Sequence, residues 1–199
     1  MARTRASDFE EKQHGILMSA AAVFAEQGMD RASMAQIATH SGVSKALLYH
    51  YYPSKDSLIF AIIQSHLHEL EASVAAAIDP GLAPEQQLRV LVGVVIEKYR
   101  GADDAHRVQL IGAAALSEEQ RGAIRTVERQ IVRHFAQVLQ RINPDLDRPE
   151  RPLLMPVTMS LFGMMNWVYM WFREGGLVTR EDYADVATTL ILAGVHEVR

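Results

Sequence analysis

Residues 33–52 read SMAQIATHSGVSKALLYHYY. Ser33 precedes Gln36 by three positions, which is the capping-box pattern that begins a helix. Ser44 is a second helix-starting residue, and Gly42 just before it supplies the positive φ that a tight turn requires. The stretch therefore predicts two short helices joined by a glycine-containing turn. This is the plan of a helix-turn-helix, whose second helix enters the major groove of DNA.

The residue types in these two helices agree with that plan. Ala38 is small at the position where the helices would cross, and Ile37 and Leu48 supply part of a minimal core. The second helix presents a polar and aromatic surface that is unusual for a short exposed helix, formed by Lys45, Ala46, Tyr49, His50 and Tyr51. The pattern alone leaves open a simpler alternative, a three-helix packing motif with exposed tyrosines.

Outward from this stretch, the chain predicts helices from end to end, because apolar residues recur with a period near that of a helix and never alternate over a strand length. The predicted helices span residues 8–27, 33–40, 44–52, 54–79, 84–100, 105–116, 117–142, 152–173 and 179–198. The short capped helices, 33–40 and 44–52, precede residue 55, and longer helices follow it. We therefore expect a domain boundary between residues 55 and 56.

The composition limits the class of protein. The chain has 199 residues, of which 49% are hydrophobic and 22% are charged, with a formal net charge of -4. This is a globular composition, which excludes an intrinsically disordered protein. The absence of cysteine excludes disulfide frameworks and thiolate metal sites. Because the sequence also contains no HExxH, GxSxG or glycine-rich phosphate loop, we expect neither an enzyme, nor a cofactor, nor a metal site.

One uncharged stretch, Leu153–Phe172, is long enough by itself to cross a membrane. Polar and helix-breaking residues within it, such as Pro156 and Asn166, favour a buried or interface helix instead. The N-terminal residues lack the apolar segment of a secretory signal. We therefore expect a cytoplasmic protein without a membrane partner.

Charge does not mark a nucleic-acid-binding half of the chain. Residues 1–60 carry six Lys/Arg and six Asp/Glu side chains, so any basic footprint for DNA must be local. Arg3 and Arg5 fit either a basic arm in the minor groove or a disordered tail.

The run from Gly42 to Leu58 closely resembles the DNA-binding signature of the tetracycline-repressor (TetR) family, and residues 16–28 continue the likeness upstream. The resemblance implies an all-α protein. Its N-terminal three-helix helix-turn-helix DNA-binding domain, residues 1–55, is joined to a larger helical ligand-binding and dimerisation domain, residues 56–199. The implied function is a ligand-responsive transcriptional repressor, which binds a pseudo-palindromic operator in double-stranded DNA as a homodimer and leaves it when a small hydrophobic effector binds.

At the positions that match the family's motif, the resemblance also implies which residues contact DNA. The resemblance implies base contacts from Lys45, Ala46, Tyr49 and Tyr51. It implies phosphate contacts from Ser33, Ser44, Tyr49, His50 and Lys55. Many members have an arginine where this chain has Ala35, so that base contact is not implied here.

The last two predicted helices, 152–173 and 179–198, resemble the family's final pair, which packs across the two-fold axis of the dimer as a four-helix bundle. Ser160 and Gly163 are small enough to let two helices approach closely. We therefore expect the homodimer to form through these helices.

The run Phe162–Phe172, followed by a glycine pair, resembles members that sense acyl-coenzyme A thioesters. We expect an acyl tail to contact Met159, Phe162, Asn166, Trp167 and Met170, while Arg121 or Arg125 meets the phosphates. Alternatives remain open, because methionine and aromatic residues at this spacing are also ordinary core and the arginines also fit a solvated helix face. A repressor that senses lipophilic drugs is another alternative, and a helical small-molecule-binding or scaffold protein without DNA regulation is a third.

Overall fold

The computed structural model describes residues 2–198, with side chains from residue 11 onward. The α-helices are α1 (Ala2–Gln27), α2 (Met34–His40), α3 (Lys45–Tyr51), α4 (Lys55–Ala76), α5 (Pro84–Lys98), α6 (Asp103–Gly112), α7 (Glu118–Ile142), α8 (Leu154–Asn166), α9 (Val168–Trp171) and α10 (Arg180–Gly194). They are accompanied by 3-10 turns at Ala113–Ala115 and Pro144–Leu146. A short antiparallel hairpin pairs β1 (Asp147–Arg148) with β2 (Arg151–Pro152).

This architecture confirms the predicted all-α fold class, although several predicted helices have different bounds. α1 begins at Ala2 rather than at residue 8, and α6 ends at Gly112 rather than at residue 116. The single helix predicted over 152–173 is wrong, because α8 ends before Trp167 and the short α9 follows it.

The hairpin corrects the expectation that the chain is helical from end to end. Pro144 follows Asn143 directly after α7, and the Asn143 side chain accepts a hydrogen bond from the Asp145 N–H instead of continuing the helix. The Leu153 N–H then donates to the Leu146 carbonyl at 2.8 Å, which closes the intervening residues into the hairpin. The hairpin therefore forms in the gap between the predicted helices 117–142 and 152–173, where turn residues interrupt the helical pattern.

The chain forms two compact units. The first contains the residues up to Leu67 together with Gly101–Ile124, and the second contains His68–Arg100 together with the residues from Arg125 onward. Both α4 and α7 cross from one unit to the other.

In the first unit, α1, α2, α3, the first half of α4 and α6 surround an apolar core. Its fully buried members include Ile16, Phe24, Ile37, Leu48, Leu58 and Ile62. α6 packs against α1, and it also approaches α4 closely, because a Cβ added to Gly112 would lie 3.0 Å from Ile59 Cγ2. The buried rings of His66 on α4 and His106 on α6 lie close together, tilted by 56°, with centroids 5.8 Å apart. The first unit thus includes one helix, α6, from far beyond the helix-turn-helix.

In the second unit, α5 and α10 pack against each other and both contact α8. Leu88, Leu91, Val95, Leu139, Leu161 and Met165 are fully buried there. Phe135 of α7 meets Phe162 of α8 edge to face, with ring centroids 5.0 Å apart. The buried Arg180 side chain donates from Nε to Glu174, and its guanidinium lies 4.8 Å from the centre of the Phe172 ring. These contacts hold the segment between α9 and α10 against the unit.

Candidate functional site

The first helix of the helix-turn-helix begins with the capping box that the sequence predicts. The Gln36 N–H donates to Ser33 Oγ at 3.3 Å, and Gln36 Oε1 accepts from the Ser33 N–H at 2.9 Å. The turn after α2 places Gly42 at φ 65°, a conformation that glycine adopts without the strain of a side chain. The Val43 N–H then donates to the Ala38 carbonyl at 3.0 Å, which sets the direction of α3.

α3 has one buried face and one exposed face. Leu48 is fully buried and anchors the helix to the core of the first unit, and Tyr52 directly after the helix is buried as well. Lys45, Ala46, Tyr49 and His50, four of the residues predicted to contact DNA, lie on the exposed side. The helix therefore exposes these four residues together, which is what a recognition helix needs in order to contact DNA.

Lys45 and Tyr49 form a pair on that exposed face. The Lys45 Nζ atom lies 5.8 Å from the centre of the Tyr49 ring, within the range of a cation–π contact, and the tyrosine remains 41% exposed. The contact restrains a flexible cation and an aromatic ring in one orientation. This combination can offer hydrogen-bond donors to base edges and an apolar ring to a thymine methyl group.

Tyr51 is placed differently from its neighbours. It is only half-exposed, and its ring lies between those of His50 and Tyr52, with centroid distances of 5.6 and 6.3 Å. The ring of Tyr51 is therefore less accessible to a DNA base than the ring of Tyr49.

The two predicted serine contacts to phosphate differ in their free hydrogen-bonding capacity. The Ser33 hydroxyl donates to Gln36 Oε1 at 2.8 Å, so its proton is already used inside the capping box. Ser44 Oγ accepts from the Leu47 N–H at 3.1 Å, and accepting a bond leaves the hydroxyl proton available to donate. Ser44 is thus the better placed of the two to donate to a phosphate oxygen.

Lys55 is engaged within the protein, by the loop between α1 and α2. Its Nζ atom donates to the carbonyls of Met29, Asp30 and Ala32, at 2.7, 3.2 and 3.4 Å. An ammonium group has three N–H donors, and these three carbonyls can accept all of them. Contact of Lys55 with a phosphate would therefore require it to leave the loop between α1 and α2. The side chains of Arg3 and Arg5, considered for a minor-groove arm, lie outside the described residues.

The residues predicted to contact an acyl tail differ widely in exposure. Phe162 is only 6% exposed and packs on Phe135, whereas Met159, Trp167 and Met170 are 50%, 58% and 58% exposed. The reason is helical phase, since α8 turns Phe162 towards the core and Met159 towards solvent.

Asn166 has the buried hydrogen-bond partner that an amide inside an apolar helix requires. Its Oδ1 atom accepts from the Tyr99 hydroxyl at 2.8 Å. Burial raises the pKa of Tyr99, so the phenol stays protonated and remains a donor.

The two predicted phosphate-binding arginines lie one turn apart on α7 but have different surroundings. Arg121 belongs to the first unit, where it forms an ion pair with Glu118 at 3.0 Å and donates to the Leu116 carbonyl. Arg125 belongs to the second unit, where it lines a groove of about 540 Å³ together with Met159. Sequence reasoning missed the other arginines of that groove, Arg129 and Arg133, because their helical phase indicates a solvated face.

An exposed apolar stripe lies on α8, α9 and α10. Its large side chains are Met155, Met159, Trp167, Met170, Trp171, Val186 and Leu190, each 47–61% exposed. Gly163 lies on the same side of α8 and is exposed, and a Cβ added there would meet nothing within 4 Å. Exposed apolar area of this extent is typical of a protein interface.

Two other site classes find no support in the described residues. No helix among residues 2–198 combines the length and apolar character needed to cross a lipid bilayer. Within the same part of the chain, no three His, Asp or Glu side chains come together in a way that could hold a metal ion.

Comparison with known proteins agrees with this geometry. The family model for bacterial regulatory proteins of the tetR family matches residues 16–62, and the model for the tetracyclin repressor-like C-terminal domain matches residues 81–195, more than half of the chain. The transcriptional repressor KstR2 of Mycobacterium tuberculosis is 25% identical over 196 residues, which cover 96% of each chain. Other curated relatives match over shorter stretches, and the chain spans 38% and 53% of the length of two of them.

Solved structures give the same result. A TetR-family regulator from Bordetella parapertussis is 30% identical and superposes with a TM-score of 0.84, covering 94% of this chain and 97% of the other. AibR, solved in complex with isovaleryl coenzyme A and operator DNA, is 28% identical with a TM-score of 0.76, covering 90% of this chain and 97% of its own. With the helix-turn-helix geometry and both family models in agreement, the chain is a member of the TetR family of transcriptional regulators.

Proposed function

We propose that this regulator is a cytoplasmic repressor that binds a pseudo-palindromic operator as a homodimer and is released by an acyl-coenzyme A thioester. The observation that carries the DNA part is the outward face of α3, where Lys45, Ala46 and Tyr49 are exposed above the buried Leu48. In this proposal residues 1–55 bind DNA, and residues 56–199 bind the effector and the second subunit.

The hydrogen bonds within the protein rank the proposed DNA contacts. Lys45 and Tyr49 are our principal candidates for base contacts, with Ala46 beside them to meet a thymine methyl group. We assign phosphate contacts to Ser44 and His50 ahead of Ser33 and Lys55, since the donors of the latter two are engaged within the protein.

A mobility-shift assay with the DNA upstream of the protein's own gene tests the DNA part. We expect Tyr49→Ala to weaken binding without unfolding the protein, and Lys45→Ala to relax base preference at a cost of about 1–3 kcal/mol if Lys45 reads a guanine. Lys98→Ala is the matched control, because Lys98 is an exposed lysine on α5. If all three variants and the wild type bind the DNA with equal affinity, α3 is not the recognition helix.

The homodimer is supported by the exposed stripe on α8, α9 and α10. Two copies that face each other through this stripe would bury methionine and tryptophan side chains that one protomer leaves in water. An isologous two-fold interface also explains why the operator should be pseudo-palindromic, since each half-site meets one α3.

Gly163→Arg tests the interface without disturbing the protomer, because the position is exposed and has open space around it. We expect light scattering at micromolar concentration to give a dimer for the wild type and a monomer for Gly163→Arg. Gly15→Arg on α1, also exposed with open space, is the control and should remain a dimer. A monomeric wild type contradicts the proposal.

The effector class is supported by a relative and by a charge argument. AibR, which shares the fold at 28% identity, was solved with isovaleryl coenzyme A bound. A lipophilic cation, the competing class, would require buried carboxylates among the aromatic residues, and the sequence has no acid between Arg151 and Arg173.

Calorimetric titration with acyl-coenzyme A esters and lipophilic cations tests this class. We expect a thioester to bind and to weaken operator binding by a coupling of about 1–3 kcal/mol. If no thioester binds more tightly than about 100 µM, a weak value for a specific pocket, the effector class is wrong while the DNA assignment stands.

A further inference from the structure

Only one end of the side-chain amide of Gln36 is used inside the protein. Its Oε1 atom accepts a hydrogen bond from the Ser33 N–H at 2.9 Å and another from the Ser33 hydroxyl at 2.8 Å. These two donors fix the orientation of the amide, because its oxygen can accept a hydrogen bond and its nitrogen can only donate. The Nε2 group, with two N–H donors, is therefore on the side of the amide that the capping box does not use.

The Nε2 group of Gln36 is an ordered donor on the surface of the helix-turn-helix. The side chain is exposed, and no atom in the described part of the chain accepts a hydrogen bond from its nitrogen. Because the oxygen of the same amide is held by Ser33, little side-chain freedom remains to be lost when a ligand accepts from the nitrogen. A donor that is ordered in advance binds at a lower entropic cost than a mobile one.

Gln36 lines a groove of about 390 Å³ between α1 and α2, together with Gln27, Thr39 and His40. The Thr39 hydroxyl is engaged, because it donates to the Ala35 carbonyl at 3.0 Å. The amides of Gln27 and Gln36 and the imidazole of His40 are the other polar side-chain groups of the described lining, which includes no carboxylate. An anion can therefore approach Gln36 here without meeting a negative charge in the lining.

The position of α2 in the fold indicates which anion this is. In a helix-turn-helix the second helix enters the major groove, while the first helix crosses the sugar-phosphate backbone. α2 is the first helix of the pair here, and α3 is the second. Side-chain amides are among the groups that contact phosphate oxygens in protein–DNA complexes. The chemistry of the groove therefore fits a phosphate of the DNA backbone.

We propose that Nε2 of Gln36 donates to a phosphate oxygen of the operator, while Oε1 of the same side chain keeps the capping box closed. The inference rests on the proposed function, because it requires operator binding through α3, and it adds a contact on α2. A phosphate contact of this kind fixes the register of the protein on the duplex without reading a base. The capping box thus has a second role, since it orients a DNA contact as well as beginning α2.

Two substitutions separate the phosphate contact from helix capping. Gln36→Glu keeps an acceptor for both Ser33 donors, because glutamate also closes a capping box, but it replaces the N–H donors with a negative charge. Gln36→Ala removes the donors without adding a charge. In the mobility-shift assay with the upstream DNA, we expect both variants to bind more weakly than the wild type. The loss should be about tenfold or more for Gln36→Glu, which corresponds to about 1.4 kcal/mol. Thermal unfolding should show that Gln36→Glu is as stable as the wild type.

Gln86→Glu is the matched control. Gln86 is an exposed glutamine at the third position of α5, which is the position that Gln36 has in α2, so the control adds the same charge at the same place in a helix. Its operator affinity should equal that of the wild type. If Gln36→Glu binds as tightly as Gln86→Glu, Gln36 only caps α2 and the inference is overturned. If Gln36→Ala binds as tightly as the wild type, Gln36 donates no hydrogen bond to DNA and the inference is also overturned. In both cases Tyr49→Ala still tests the proposed function by itself.

Operators in which one phosphate at a time is replaced by an uncharged methylphosphonate identify the partner of Gln36. At one phosphate in each half-site, we expect the replacement to weaken binding of the wild type but not of Gln36→Glu, since the carboxylate no longer meets a negative charge there. Equal effects on the two proteins at every phosphate would overturn the contact. If the wild type does not bind the upstream DNA at all, the proposed function and this inference both fail.

Discussion

The Nζ atom of Lys55 lies 2.7 Å from the carbonyl oxygen of Met29, at the start of the loop between α1 and α2. The same ammonium reaches the carbonyls of Asp30 and Ala32, so one side chain at the start of α4 holds three backbone groups of that loop. The loop leads directly into the helix-turn-helix. A charged hydrogen-bonded contact therefore connects α4 to the loop before the helix-turn-helix, in addition to the chain itself.

We expect Lys55→Met to lower the free energy of unfolding by about 1–3 kcal/mol, because part-buried carbonyls lose a charged donor while the apolar stem is kept. Urea denaturation measures this change. Lys12→Met on the exposed side of α1 is the control and should change stability by less than about 0.5 kcal/mol.

The salt dependence of operator binding separates the two roles of Lys55. A lysine that neutralises a phosphate contributes about one unit to the slope of log affinity against log salt concentration. Because the ammonium is engaged in the loop, we expect the slope of Lys55→Met to equal that of the wild type. A slope lower by one unit would show that Lys55 reaches DNA in the complex.

The hydrogen bond from Tyr99 to Asn166 predicts a measurable coupling between α5 and α8. Tyr99→Phe leaves the half-buried amide without its donor, and we expect it to lower the free energy of unfolding by about 1–2 kcal/mol. A double-mutant cycle with Asn166→Leu should give a coupling energy of about 1 kcal/mol. Additive effects of the two substitutions would contradict a direct interaction.

The buried His66 predicts a loss of stability in mild acid. Burial, and then the neighbouring His106, lower the pKa of His66 to about 4 in the folded protein. In the unfolded chain the group has its ordinary pKa of about 6.5, so the unfolded state binds the proton first. The free energy of unfolding should therefore fall as the pH drops from about 6.5 to about 4, by up to about 1.4 kcal/mol per pH unit from this group.

Comparison of variants isolates the contribution of His66 from that of the carboxylates. In His66→Leu the acid-induced loss between pH 6.5 and 4 should be shallower than in the wild type. His68→Leu, which removes an exposed histidine of the same helix, should retain the wild-type profile. Identical pH profiles for all three proteins would refute the assignment.

Gly112 predicts a steric cost where α6 meets α4. A Cβ there would lie 3.0 Å from Ile59 Cγ2 and 3.2 Å from Ile63 Cδ1, so we expect Gly112→Ala to lower the free energy of unfolding by about 1–3 kcal/mol. Gly15→Ala in α1 has open space, and it should instead raise stability by about 0.5–1 kcal/mol because alanine is the better helix former. Thermal or urea unfolding of both variants measures the difference in sign.

The helix-turn-helix could be predicted from the sequence because its signals are local. The capping box from Ser33 to Gln36 and the positive φ of Gly42 depend on residues within a few positions of each other, and both are present in the structure. The family resemblance rests on the same short stretch, and the comparisons confirm it.

The contacts between distant residues were decided by tertiary structure alone. Lys55 finds its carbonyl partners 23–26 positions earlier in the chain, and Tyr99 finds Asn166 67 positions later. The apolar run of 153–172 looks uniform in the sequence, but packing buries Phe162 and leaves Trp167 exposed. Helical periodicity determines which residues share a face, whereas the side of the helix that is covered depends on neighbouring helices that the local sequence does not encode.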